Sequence, residues 1–184
     1  MAREGLPEPW HSFLAEIDRA VPEPLELTCI GGFAVSLFYG LSRPTGDLDV
    51  VDVTPAHLRP WLMEIAGQGR ALHSKHKVYV QFVAVADLPE SYQERRQPMV
   101  PGAFNKLRLF VPDPYDLALS KLSRNLDLDL EDVKHLARAQ SMDMALLEQR
   151  YREEFRPIAI GPAERHDRTL ALWMDAILEH RGKR

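Results

Sequence analysis

CIGGFAVSLFYGLSRPTGDLDVVDV, residues 29–53, is the stretch on which the fold turns. The apolar run Leu25 to Ile30 before it reads as a strand that ends in the glycine pair Gly31 and Gly32. Phe33, Val35, Leu37, Phe38 and Leu41 then follow a short helical spacing. Ser42-Arg43-Pro44-Thr45-Gly46 is a turn-rich bridge, and a second strand opens with Asp47-Leu48-Asp49 and continues to Val53. Successive strand side chains point to opposite faces, so Asp47 and Asp49 share one face and Leu48 and Val50 take the other. Two carboxylates side by side repel unless a cation lies between them. An all-oxygen pair suits Mg²⁺, which takes carboxylates, water and phosphate oxygens as ligands. A glycine pair opening a helix lets backbone approach phosphates closely, and a helix N-terminus favours negative charge.

In order and in strand-helix-strand context, these residues resemble the core of the nucleotidyltransferase fold, the DNA polymerase β-like superfamily. Gly31-Gly32-Phe33-Ala34-Val35, Gly40, Arg43, Thr45, Asp47 and Asp49 form a spacing similar to that of the minimal nucleotidyltransferases and the AbiEii/MenT-type toxins. The resemblance implies an α+β fold: a mixed β-sheet flanked by helices over residues 1–112, with a C-terminal helical region, 113–184, completing the same site. It implies Asp47 and Asp49 as catalytic metal ligands for Mg²⁺. Gly31, Gly32, Arg43 and Thr45 become nucleotide-binding residues.

The same resemblance extends to Tyr115-Asp116-Leu117-Ala118-Leu119-Ser120-Lys121-Leu122 and to the acidic run after it, Asp127 to Asp132. It gives Lys121 a phosphate-binding and catalytic role and Asp132 a role in the same site, with Asp129 a second candidate. Lysine is a compact charge suited to neutralising a phosphate. On that reading Lys121 faces phosphate and not the core, and Lys121→Ala leaves the fold intact. Asp129 reads equally as an N-cap of the helix that follows. One departure stands out. The third carboxylate of the family belongs on the strand Val78 to Ala86, and the residue at its position is Gln81, which cannot ionise. Asp87 replaces it only if that strand ends early.

The chain has 184 residues, 45% of them hydrophobic, which fits one domain or one core with a helical appendage. Its net charge of −4 gives no bulk attraction to nucleic acid, so a polynucleotide needs a local basic patch. The single cysteine, Cys29, lies in an apolar run and reads as buried and structural, in keeping with a reducing cytoplasm. No leader-like apolar segment opens the sequence and no run is long enough to cross a membrane.

The remaining elements read in order. Pro9 to Ala20 is an amphipathic helix with Trp10, Phe13, Leu14 and Ile17 on one face. Thr54-Pro55 reads as an N-cap and first helical residue, with a helix through Ile65. Arg70 to Lys77 reads as a solvated basic loop, in which Lys75 and Lys77 are candidate phosphate contacts. Leu88 to Gly102 reads as a loop whose Arg95 and Arg96 are candidates for a triphosphate. Lys106 to Val111 is a strand. Met142 to Phe155 and Pro162 to His180 are helices, the latter with a stripe of Leu170, Trp173, Met174, Ile177 and Leu178.

The expected activity is Mg²⁺-dependent transfer of a nucleoside monophosphate from an NTP to a hydroxyl of a tRNA end, a protein or a small molecule, with an antitoxin as partner. Gln81 favours an alternative: a degenerate module that binds a nucleotide or protein without turnover.

Overall fold

Alternating apolar residues make β1, Leu25–Ile30, the spine of the sheet: Leu25, Leu27 and Cys29 have no solvent exposure. The computed structural model describes residues 5–182, with side chains through 181. Five strands join in the order β3-β2-β1-β5-β4. β2, Asp47–Thr54, pairs antiparallel with β1, and β5, Leu107–Val111, pairs parallel with it. β3, Tyr79–Phe82, runs parallel to β2, and β4, Gln97–Met99, antiparallel to β5. The result is the α+β architecture expected, a mixed sheet flanked by helices.

Along β2, Leu48, Val50 and Val53 are buried, while Asp47 and Asp49 are half-buried on the opposite face. Strict alternation would put Val53 with the aspartates. A bulge changes this: Thr28 pairs with Asp52 but Cys29 with Val50, so Val51 is the extra residue and the face switches beyond it.

The chain forms two compact units. The sheet unit runs to Val85 and includes Arg96–Val111; the helical unit comprises Ala86–Arg95 and the chain from Pro112. In the sheet unit, α1, Trp10–Ala20, buries Trp10, Phe13, Leu14 and Ile17, as its periodicity requires. Trp10 meets Phe33 edge to face at 4.8 Å between ring centroids. Each such fully buried side chain contributes about 1.5–3 kcal/mol. The buried Asp18 of α1 accepts hydrogen bonds from the backbone N–H groups of Asn105 (3.1 Å), Lys106 (2.7 Å) and Leu107 (2.8 Å), which anchors the entry to β5. Burial alone would raise its pKa. The three N–H donors outweigh that and hold it below the usual carboxylate range.

The short helix α2, Gly31–Phe33, continues as a π-helical turn, Ala34–Phe38. Beyond β2 a 3₁₀ turn, Ala56–Leu58, precedes α3, Arg59–Ala66. Thr54-Pro55 therefore does not cap the helix; Pro60, in its first turn, does the starting. The basic stretch is not a loop but a helix, α4, Ala71–His76, closed by Lys77 in the left-handed conformation at φ 64°. Lys75 and His76 both contact Glu16 of α1, at 2.5 and 2.9 Å.

In the helical unit, α5, Tyr92–Arg95, lies in what reads from sequence as loop. α6, Pro114–Leu122, starts with Asp113 as N-cap, accepting from the Asp116 N–H at 2.8 Å, and with proline at its first position. α7, Asp127–Ala139, is followed by α8, Met144–Arg150, which runs into a second π-helical turn, Tyr151–Phe155. α9, Ala163–Gly182, buries Leu170, Trp173 and Ile177 and leaves Leu178 half in solvent. Among the described residues, no helix is long and apolar enough to cross a membrane.

Candidate active site

Gly31 leaves β1 with φ +66°, a conformation that an L-residue adopts only at a cost. The turn brings its Cα against the neighbouring strand, where Asp49 pairs with Ile30. A Cβ on Gly31 would lie 2.1 Å from Asp49 Oδ2. No side chain fits there, so the Asp49 carboxylate occupies the volume that glycine leaves. Gly32 does the same for the bridge: a Cβ there would lie 3.3 Å from Thr45 Oγ1 and 3.8 Å from an Arg43 guanidinium nitrogen. The Thr45 hydroxyl is 3.0 Å from Asp47 Oδ1 and 3.2 Å from the Asp47 carbonyl oxygen, a donor facing two acceptors.

Six of the residues singled out from the sequence thus meet in the sheet unit: Gly31, Gly32, Arg43, Thr45, Asp47 and Asp49. Both carboxylates sit where β2 begins and where the first helix after β1 starts. Cys29 lies just behind. Burial, with Asp49 nearby, pushes its thiol well above the ordinary range, so it is a protonated structural cysteine.

Gln81 stands directly beside Asp49 on the parallel strand β3. Leu48 and Val80, the adjacent pair, are both buried, so Gln81 shares the aspartate face and is exposed there. β3 does end early, at Phe82. Asp87 belongs to the helical unit, where it accepts a short hydrogen bond from the Ser123 hydroxyl and one from the Ile160 N–H.

The donor set for a cation is therefore two carboxylates. Among the described residues, no group of three or more His, Cys, Asp or Glu could hold a metal ion. Two acidic oxygens with open coordination positions fit Mg²⁺, which keeps waters and is commonly held by one or two carboxylates plus substrate phosphates. They do not fit zinc, which wants a closed tetrahedral set.

Lys121 has a different setting from the one expected. It does not face away from the core: it is 3% exposed, and its ammonium lies 2.8 Å from Asp132 and 3.4 Å from Asp129, both buried. Asp129 also accepts from Arg124 and, at 2.9 Å, from the Leu126 N–H, the reciprocal contact of a capping box at the start of α7. Burial would raise its pKa, but Arg124, the Leu126 N–H and Lys121 together hold it below the ordinary value. Asp129 is not the N-cap, which is Leu126; it stands in the first turn of α7 and its carboxylate reaches back to the Leu126 N–H. Lys121 and Asp132 form the buried ion pair of the helical unit.

Arg95 and Arg96 are engaged within the protein. Arg95 grips Asp116 with both Nε (2.9 Å) and Nη2 (2.8 Å) and reaches Glu154 at 2.7 Å. Burial pushes the Asp116 carboxyl upward, and the guanidinium opposes this. Arg96 bonds Glu26 at 3.0 Å and lies over the Phe110 ring at 4.0 Å. Both tie their own unit together. His166 is buried, with Nε2 3.0 Å from the Ile160 carbonyl. Arg96 over Phe110 and Arg95 on Asp116 had no legible motif; their partners lie 14 and 21 residues away in sequence.

A family model described as "Nucleotidyltransferase of unknown function (DUF6036)" matches residues 12–179. Comparison with curated proteins gives no match, and comparison with solved structures gives none.

Proposed function

The chain belongs to this family of nucleotidyltransferases of unknown function, and on that premise we propose that it moves a nucleoside monophosphate from an NTP to a hydroxyl acceptor at the Gly31–Asp49 site. The observation that carries the reading is the approach of the Asp49 carboxylate to Gly31, with Asp47 beside it on the same strand face. Two acids gathered where a helix begins form a site for a cation and an anionic chain of phosphates together. Asp47 and Asp49 would hold Mg²⁺, which when bound neutralises phosphate charge and polarises the phosphoryl oxygens.

The first-turn N–H groups from Gly31 onward have no intrahelical acceptor and present donors to phosphate oxygens. Arg43 adds a planar guanidinium suited to the same oxygens. The acceptor oxygen bonds to the α-phosphorus in line, the bond to the bridging oxygen breaks, and pyrophosphate leaves. Gln81 cannot take the acceptor's proton. That proton passes to a carboxylate of the pair or to solvent. Positioning and fixed charges supply most of the rate in such transfers. The spacing from Gly40 through Arg43 and Thr45 to Asp49 supports a place among the AbiEii/MenT-type toxin-like enzymes. The acceptor would then be a tRNA end, another protein hydroxyl or a small molecule, the partner an antitoxin, and the compartment the cytoplasm.

The test incubates the full chain with each labelled NTP, Mg²⁺, and either total RNA or lysate protein. Label transferred by the wild type, and lost both in Asp49→Asn and with a chelator, supports the proposal. Gln81 favours a second reading, a module that binds without turnover. NTP binding by the wild type with no transfer to any acceptor would select it.

A further inference from the structure

We propose that Gly32 and Thr45 act as one positioning unit for Asp47, a proposal that rests on the metal reading of the site above. The Thr45 hydroxyl has one proton to donate and two oxygens of Asp47 in reach, the carboxylate at 3.0 Å and the carbonyl at 3.2 Å. The carboxylate is the stronger acceptor because it is charged. A carboxylate on a strand end turns about its χ angles unless something holds it, and ligand orientation by a neighbouring hydrogen bond is what sets metal affinity.

Gly32 leaves Thr45 the room to stay at that distance. A Cβ at position 32 would stand 3.3 Å from Thr45 Oγ1, a contact that forces the hydroxyl to give by a few tenths of an ångström. The alternative reading of Gly32, that its backbone needs glycine, does not apply: unlike Gly31 it has no positive φ. What a side chain at Gly32 would meet is Thr45. Gly31 makes room for Asp49 directly, and Gly32 makes room for Asp47 through Thr45. Thr45 is then a positioning residue whose hydroxyl is directed at Asp47.

Mn²⁺ binding to the full chain, followed by the loss of the free-ion electron paramagnetic resonance signal, tests this without turnover. Thr45→Val removes the donor at constant shape, and Thr45→Ser keeps it. Outer-shell partners of metal ligands are typically worth about 10–100-fold in affinity. We expect Thr45→Val to bind Mn²⁺ roughly tenfold more weakly or worse, on that scale, and Thr45→Ser to recover the wild-type affinity. Gly32→Ala should weaken binding in the same direction. The Gly32→Ala/Thr45→Val double variant should bind no more weakly than Thr45→Val alone, since both changes act through one hydrogen bond. Melting curves of all variants separate this from a structural role, which would lower stability and leave Mn²⁺ affinity alone. If Thr45→Val binds Mn²⁺ as the wild type does while Asp47→Asn does not, the positioning role is overturned and the metal site stands. If Asp47→Asn and Asp49→Asn both bind as the wild type, the metal reading falls and takes this proposal with it.

Discussion

Lys121→Ala should destabilise the protein strongly. The ammonium is 3% exposed and is flanked by Asp132 at 2.8 Å and Asp129 at 3.4 Å, which are 1% and 0% exposed. Removing the cation leaves two buried carboxylates facing each other's field. Asp129 keeps Arg124 and the Leu126 N–H. Removing one partner of a buried pair typically costs about 3–5 kcal/mol, because the other charge remains desolvated. For a chain of this size each kcal/mol moves the melting temperature by about 2–4 °C, so a drop of roughly 6–20 °C follows. Urea unfolding read by circular dichroism gives the free energy, and a thermal melt gives the shift. A control distinguishes charge burial from lost packing: Lys121→Met with Asp132→Leu removes both charges at similar volume and should recover much of the loss. A Lys121→Ala protein that melts with the wild type would refute the reasoning and return Lys121 to the role its motif suggests, a cation held for phosphate.

Gly31→Ala should abolish transfer and lower stability, since φ +66° strains any other residue by about 1–2 kcal/mol and the new Cβ would meet Asp49 Oδ2 at 2.1 Å; a melt and a transfer assay check both. Gln81→Glu adds an acid beside Asp49 and should raise transfer or shift its Mg²⁺ and Mn²⁺ dependence, whereas Gln81→Ala should do little to the chemistry; general-base help is worth about 10²–10⁴-fold, and loss of transfer in both variants would make the amide a recognition group instead. Asp18 and Asp129 have folded-state pKa values below their unfolded ones, so each adds stability above the ordinary aspartate pKa of about 3.9 and loses it as pH falls through the depressed folded value; acid titration of unfolding should show this loss, and Asp18→Asn and Asp129→Asn should flatten it.

The order of strands and helices was legible because most segments carry one clear period. β1 begins and ends where its apolar run does, and α6 starts at the proline that follows Asp113. The misread segments have physical reasons. α4 carries no buried residue, so no apolar stripe marks it; its length comes from the left-handed cap at Lys77 and the contacts of Lys75 and His76 with Glu16. β4 contains Pro98, which a sheet tolerates at an edge, and β4 is an edge strand. α5 is a single turn whose Arg95 is fixed by Asp116 and Glu154, a long-range choice invisible in local pattern. The bulge opposite Thr28 and Cys29 does leave a trace in Leu48-Asp49-Val50-Val51-Asp52-Val53, where the apolar-polar alternation breaks at Val50-Val51, but only the pairing with β1 shows that Val51 is the extra residue.

The candidate site shows where sequence reading stops. A glycine pair before a helix has two physical uses, admission of a phosphate and admission of another part of the protein, and the letters are the same for both. Distances separate them. At Gly31 the space is already filled by Asp49, and at Gly32 a Cβ would crowd Thr45. The glycines hold the carboxylates close to the start of the helix, so the same backbone turn fixes where negative side chains sit and where N–H donors emerge. Those opposite charges would repel or neutralise a ligand of one sign. On the proposed function, a cation bound to a polyphosphate would answer both, with the metal toward Asp47 and Asp49 and the phosphate oxygens toward the N–H groups and Arg43. Neither free Mg²⁺ nor a free nucleotide satisfies the whole arrangement. Nucleotide affinity should therefore depend on divalent cation, and Asp49→Asn should weaken binding of the magnesium–nucleotide complex more than that of the metal-free nucleotide. Calorimetric titrations with and without Mg²⁺ measure the difference, and equal losses in the two conditions would mean that Asp49 acts on the nucleotide by some route other than the metal.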